Sequence, residues 1–198
     1  MTDCPLFVVL SGPSGVGKDT LLRALLARDD RITGVVTAKT RARRPGERQG
    51  VDHLFLDDDD FEVMVQHDEF LEHAIVYGHR SGVPREPVRE ALERGLTVVA
   101  RTDIQGARTL RDSVPGALLI FITAPDLPTL ERRLRSRDDV PEADLRNRLS
   151  LAREEIAAAA EFDYVVINRD DAEDTAVNEV LAILQEERAR PDRLLPQV

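Results

Sequence analysis

The chain has 198 residues, and its 27 basic and 37 acidic side chains leave a net charge of −10, which argues against a general nucleic-acid binder. Its single cysteine, Cys4, excludes an internal disulfide framework and suits a reducing cytosol. The first apolar run, residues 6–10, is far shorter than the roughly 20 residues of a spanning helix, and it lacks the flanks of a secretory leader. The expectation is a cytoplasmic protein of one domain, or one domain with an insertion, with no membrane or nucleic-acid partner.

In chain order, residues 6–10 read as a strand. The glycine-rich run G-P-S-G-V-G-K-D-T follows at 12–20, and then a helical pattern in which Leu21, Leu22, Leu25 and Leu26 share a face. From 36 to 95 the alternation of strand and helix breaks. This stretch holds a basic loop (Lys39, Arg41, Arg43, Arg44, Arg48), a short strand at 54–56, an acidic helix start at 57–60 and a strand at 70–76. It reads as an inserted α+β subdomain. Strands at 98–100, 118–122 and 164–167 then alternate with helical stripes, among them Leu145, Leu149, Ala152 and Ile156, and Val177, Val180, Leu181 and Leu184. Continuous apolar strands of this kind fit a parallel sheet buried on both faces. The expected fold class is α/β. Its core spans 1–35 and 96–190, with a parallel sheet flanked by helices, an inserted subdomain at 36–95 and a mobile, charged lid around 135–148. The polar tail, from about 188 and including 191–198, is expected to fray.

The run at 12–20 matches G-x-x-x-x-G-K-[ST] between a strand and a helix, with one departure, and is a phosphate-binding P-loop. Glycines let backbone N–H groups turn toward a phosphate chain, the helix start adds its dipole, and Lys18 reaches the β- and γ-phosphates. The expected ATP contacts are Gly12, Pro13, Ser14, Gly15, Val16, Gly17, Lys18, Asp19 and Thr20. Asp19 stands where Ser or Thr ordinarily meets Mg²⁺. A carboxylate is also a hard oxygen ligand, but it sets negative charge beside phosphates.

The segment T-A-K-T-R-A-R-R-P-G-E-R-Q-G-V-D-H-L-F, then D-E-F-L-E-H and T-D-I-Q-G-A-R, closely resembles guanylate kinases, and the likeness runs from Val8 to about Leu184. The resemblance implies transfer of the ATP γ-phosphoryl group to GMP, with Mg²⁺ accompanying ATP as cofactor. It implies GMP contacts from Thr37, Arg41, Arg44, Glu72 and Asp103 and from the positions of His53 and Ser81, with Glu72 reading the guanine edge. Chemistry agrees: guanine offers donors at N1 and N2, which a carboxylate accepts, and forked guanidinium groups suit a phosphate. Glu47 is expected to orient the arginines. The resemblance further implies lid-side catalytic arginines, Arg133, Arg137 and Arg148, and an adenine contact from Asn168. No histidine has metal-ligand spacing with cysteine, so zinc is not expected.

The pattern breaks in places. His53 and Ser81 replace two tyrosines expected on the acceptor phosphate, and Arg80 is the expected substitute contact. Arg101 replaces an acid of the metal-side motif, which suggests that Asp19 is a relocated Mg²⁺ carboxylate whose charge Arg101 offsets. Two other readings stay open. Ribose 1,5-bisphosphate kinases are similar in fold, and some share the G-K-D loop; non-catalytic guanylate-kinase-like modules bind partners instead of turning over substrate. Monomer and homodimer are both open.

Overall fold

The computed structural model describes residues 4–76, 78–135, 142–170 and 173–198, with side chains at all of these except 142–147 and 173. The elements are β1 (Phe7–Ser11), α1 (Lys18–Arg28), β2 (Ile32–Gly34), β3 (Ala38–Lys39), β4 (Leu54–Phe55), α2 (Asp58–Gln66), β5 (Phe70–Val76), β6 (His79–Pro84), α3 (Arg85–Glu93), β7 (Thr97–Arg101), α4 (Ile104–Ser113), β8 (Leu118–Thr123), α5 (Leu127–Arg135), α6 (Glu142–Ala157), β9 (Tyr164–Ile167) and α7 (Glu173–Ala189).

Five strands form a parallel sheet in the order β2-β7-β1-β8-β9. β1 lies at its centre and is buried along its whole length. Its alternate residues feed opposite faces. Leu6, Val8 and Leu10 pack toward α1, α5 and α7 through Leu21, Leu25, Leu130, Val177 and Leu184. Phe7 and Val9 pack toward α3 and α4 through Val88, Leu92, Ala107 and Leu110. Burial on both faces is why these strands read as unbroken apolar runs. Helix α3 falls within the 36–95 range, yet Val88, Ala91 and Leu92 pack with the main sheet's strands.

The second sheet has four strands in the order β4-β3-β6-β5 and mixed direction. It has a small core of its own, in which Phe61 of α2 stacks on Phe70 of β5 at 4.6 Å beside Ala38. Helix α2 starts at the acidic run, where Asp57 accepts the Asp60 N–H at 2.7 Å and Asp58–Asp60 meet the positive end of the helix dipole. Phe61→Ala empties the centre of this small core and is expected to cost about 3–5 kcal/mol in urea unfolding. A loss below about 1 kcal/mol would mean that the stack does not hold this sheet.

The tail corrects an expectation. Helix α7 runs to Ala189, and Arg188 is buried, donating to Thr97 Oγ1 at 2.9 Å and Asp29 at 2.7 Å. Beyond it, Arg193 donates to Glu187 and to the Gly116 carbonyl, Gln197 N–H reaches the Pro115 carbonyl, and Val198 packs on the core. The polar composition that suggested fraying consists of charges paired with distant partners. Leu26 also departs from its stripe, being 40% exposed at the edge of α1.

Candidate active site

The P-loop lies between β1 and α1, at the carboxyl edge of the parallel sheet where open α/β sheets bind ligands. Gly12 has φ 137°, and a Cβ there would sit 2.0 Å from the Ile122 carbonyl oxygen of β8. Gly17 caps α1 with φ 95°, and its Cβ would meet the Asn168 amide at 2.6 Å. Both positions therefore need glycine for conformation and for space. Lys18 folds back over the loop, its Nζ donating to the carbonyls of Gly12 and Pro13. The ammonium is thus stationed over the bend of the loop.

Asp19 and Arg101 form an ion pair across 82 residues of sequence, joining the first turn of α1 to the end of β7. The Asp19 side chain stays 69% exposed. Among the described residues no three His, Cys, Asp or Glu side chains converge as a metal cage.

On the donor side a cleft of about 170 Å³ runs beside Gly15, Gly17, Thr20, Arg133, Asn168 and Asp170. Asn168, at the end of β9, is buried and donates to the Val16 carbonyl at 2.8 Å, which ties β9 to the P-loop. Arg133 of α5 reaches the same place. Its donors go to Asp170 at 2.7 Å, the Asn168 carbonyl at 2.8 Å and the Val16 carbonyl at 3.4 Å. In this arrangement Arg133 braces the wall of the donor cleft. Arg148 is half-buried on α6, whereas Arg137 and residues 136–141 of the expected lid lie outside the described residues.

The second sheet and the loop before it carry most of the expected acceptor residues. The β5–β6 register shifts between Phe70 and Glu72, the mark of a β-bulge. Phe70 joins the small core and Leu71 joins the main core. Strict alternation would return Glu72 to the Phe70 side, but the bulge re-aims it. Its carboxylate lies toward α4, where a Cβ on Gly106 would come within 3.1 Å of Oε1, and only 7% of the residue is exposed. His73 then faces the Phe61–Phe70 side. Burial raises the Glu72 pKa to about 7, the Asp103 carboxylate adds to the rise, and Lys39 opposes it. Asp103 itself caps α4, accepting the Gly106 N–H at 2.9 Å.

The basic loop is braced from within. Glu47 accepts two hydrogen bonds from Arg41, at 2.7 and 2.5 Å, and the Arg44 backbone N–H at 2.8 Å. That grip holds the Glu47 carboxyl well below the usual carboxylate range. The Arg44 side chain is left exposed. Thr37 is buried and shares a 2.8 Å hydrogen bond with His53 Nδ1. Burial, with the cations Lys39 and Arg41 nearby, lowers the His53 pKa to about 4, so the imidazole is neutral at pH 7.

Arg80 does not join this group, which corrects the expectation that it supplies an acceptor-phosphate contact. Its guanidinium pairs with Glu62 of α2 at 2.6 Å and lies 5.1 Å from the Phe61 ring centre. Along β6, residues 80 and 82 face α2 while Ser81 faces the other side, toward Lys39; a Cβ on Gly82 would strike Phe70 at 2.7 Å. The cation beside Ser81 is Lys39, a residue outside the set that the resemblance implies. Period-two alternation could have found it, since Thr37, Lys39 and Arg41 fall on one face while Ala38 packs into the small core.

A sequence model described as guanylate kinase matches residues 5–187. The chain belongs to the guanylate kinase family. It is 42% identical over 189 residues to the guanylate kinase of Carboxydothermus hydrogenoformans, covering 96% of this chain and 92% of that one. It is 46% identical over 181 residues to the guanylate kinase of Gloeobacter violaceus, covering 91% and 87% respectively. A crystal structure of guanylate kinase from Anaplasma phagocytophilum superposes with a TM-score of 0.79 at 32% identity, covering 97% of this chain and 90% of that one. Around Lys39, Arg41 and Glu47 the chain places Ser81, which accepts from Lys39, and His53, whose pKa is lowered by Lys39 and Arg41.

Proposed function

We infer that this chain is a guanylate kinase that transfers the γ-phosphoryl group of ATP to GMP, giving ADP and GDP. The observation that carries the acceptor is Glu72, a nearly buried carboxylate re-aimed by a bulge into the space facing α4. A carboxylate held there, with no basic partner within ion-pairing distance among the described residues, suits a ligand that brings its own donors, as the N1 and N2 groups of guanine do. The segment 36–95 supplies most of this acceptor pocket, with Thr37 at the base side and Arg41 and Arg44 at the phosphate side, and Asp103 at the start of α4 completes the base side.

The loop amides and Lys18 hold the donor phosphates. A phosphate oxygen of GMP attacks the γ-phosphorus in line as the bond to the ADP oxygen breaks, so no covalent enzyme intermediate forms. The protein's contribution is positioning and charge. Asn168 lies against the donor cleft and is placed to meet the adenine side. Mg²⁺ entering with ATP would supply charge neutralisation on the phosphates, and Asp19 and Thr20 are the side chains that would meet it. The donor set fits an ion held mostly by phosphates and water: an exposed carboxylate at Asp19, a hydroxyl at Thr20 and no protein cage among the described residues.

Arg101 tunes that site. Removing Asp19 frees Arg101 for phosphate and takes away a negative charge, so Asp19→Ala is expected to bind ATP more tightly in EDTA. The same variant is expected to need several-fold more Mg²⁺ for half-maximal rate. Unchanged values of both quantities would remove Asp19 from the metal site.

The Asp19–Arg101 pair also favours a second reading, a ribose 1,5-bisphosphate kinase, which the buried Glu72 opposes. An acceptor screen with ATP and Mg²⁺ across GMP, AMP, dTMP and ribose 1,5-bisphosphate separates them. GMP turnover alone is the expected result, and preferential turnover of ribose 1,5-bisphosphate would overturn it.

A further inference from the structure

We propose that Lys39 is a direct ligand of the acceptor 5′-phosphate, occupying the cleft between β3 and the start of α1 and taking the place that Ser81 is too short to fill. The role rests on the guanylate kinase reading of the acceptor pocket and adds a residue that the reading did not include. Lys39 is one of two lysines in the chain, the other being Lys18 of the P-loop. It sits opposite Ser81 in the β3–β6 register, and its Nζ donates to Ser81 Oγ at 3.4 Å. Ala38 turns into the small core, so Lys39 points to the other face, with Thr37 and Arg41 on either side.

The charges around Lys39 explain why it would hold a phosphate. Glu47 grips Arg41 and Asp19 grips Arg101, but among the described residues Lys39 has no carboxylate within ion-pairing distance. Half-buried, it is pressed toward its neutral form first by burial and then by Arg41 and Arg101, with Asp19 and Glu47 opposing. Three cations gathered in a partly dry cleft repel one another, and a dianionic phosphate relieves that repulsion with charge-assisted hydrogen bonds. Arg41 and Arg101 both press on the Lys39 ammonium, so both guanidinium groups are within its electrostatic reach. A phosphate bound there would have one edge toward Arg41 and the other toward the donor. His53 and Ser81, where guanylate kinases are expected to carry tyrosines, leave room for a longer cationic side chain.

The test compares GMP with guanosine, which lacks the phosphate, by titration calorimetry on the full chain. Lys39→Met keeps most of the aliphatic stem and removes the charge; Lys39→Thr is a second variant if the first unfolds. Loss of one charge-assisted contact is expected to weaken GMP by about 10- to 100-fold. Guanosine and ATP affinities should stay within about twofold, since neither uses the contact. GMP affinity unchanged in both variants, or equal losses for GMP and guanosine, would overturn the role of Lys39 alone. A wild-type chain that binds no GMP would overturn the acceptor assignment and this role with it.

Discussion

Lys18→Met is expected to lower kcat for GMP phosphorylation by on the order of 10²–10³-fold while leaving the melting temperature nearly unchanged. The ammonium is already stationed at the bend of the loop, bound to the carbonyls of Gly12 and Pro13. It needs only a short swing to follow charge as it shifts onto the β–γ bridging oxygen. Methionine keeps the length of the stem and supplies no charge, so the loss belongs to the transition state more than to the fold. Single-turnover rates with saturating ATP and GMP measure it directly. A loss under about tenfold would move Lys18 away from the transferring group.

Glu72→Gln is expected to cut kcat/KM for GMP by about 10²–10³-fold and to leave ATP binding alone, because two donors on guanine lose an ionised acceptor. Equal damage to GMP and ATP would sink the base-reading role. The pH dependence gives an independent check. The pKa of Glu72 is raised from 4.5 to about 7, chiefly by burial. The folded chain therefore holds this proton more tightly than the unfolded chain does. Stability from that proton is fully present below 4.5 and is lost as pH rises through about 7. GMP prefers the ionised carboxylate, so its affinity should rise with pH up to about 7 and then level, with proton release on binding below that point. The phosphate of GMP titrates in the same region, near pH 6, so Glu72→Gln is the reference: the part of the slope that vanishes in it belongs to Glu72. An unchanged slope in the variant would place the titration elsewhere.

The other corrections share a cause with the bulge at Glu72. Arg80 sits in an arginine-rich stretch, where the residue type suggests phosphate. Its strand parity turns it toward Glu62 and Phe61 instead. Lys39 is bracketed by two residues that the resemblance marks, and period-two alternation puts all three on one face, but β3 is only two residues long and becomes a strand through its pairing with β4 and β6. β2, β3 and β6 are short, or carry Gly82 and Pro84, and they gain their strand character from pairing. The buried Arg188 and the tail beyond it read as solvated polar chain until their partners, Thr97, Asp29 and Gly116, are brought up from remote positions.

What the sequence alone determined is what short-range physics controls. The glycines and lysine of 12–20 between a strand and a helix specify a phosphate loop, because backbone conformation and helix start are local. The apolar runs of β1, β7, β8 and β9 specify a sheet buried on both faces. The motif spacing after Val36 specified the family. Tertiary structure decided which way side chains face and what they meet. A one-residue bulge turned Glu72 toward α4, strand pairing set Arg80 against Glu62 and Phe61, and the fold joined Asp19 to Arg101 across 82 residues. Those outcomes depend on register and on contacts between segments far apart in sequence, which a period-two or period-3.6 pattern does not encode.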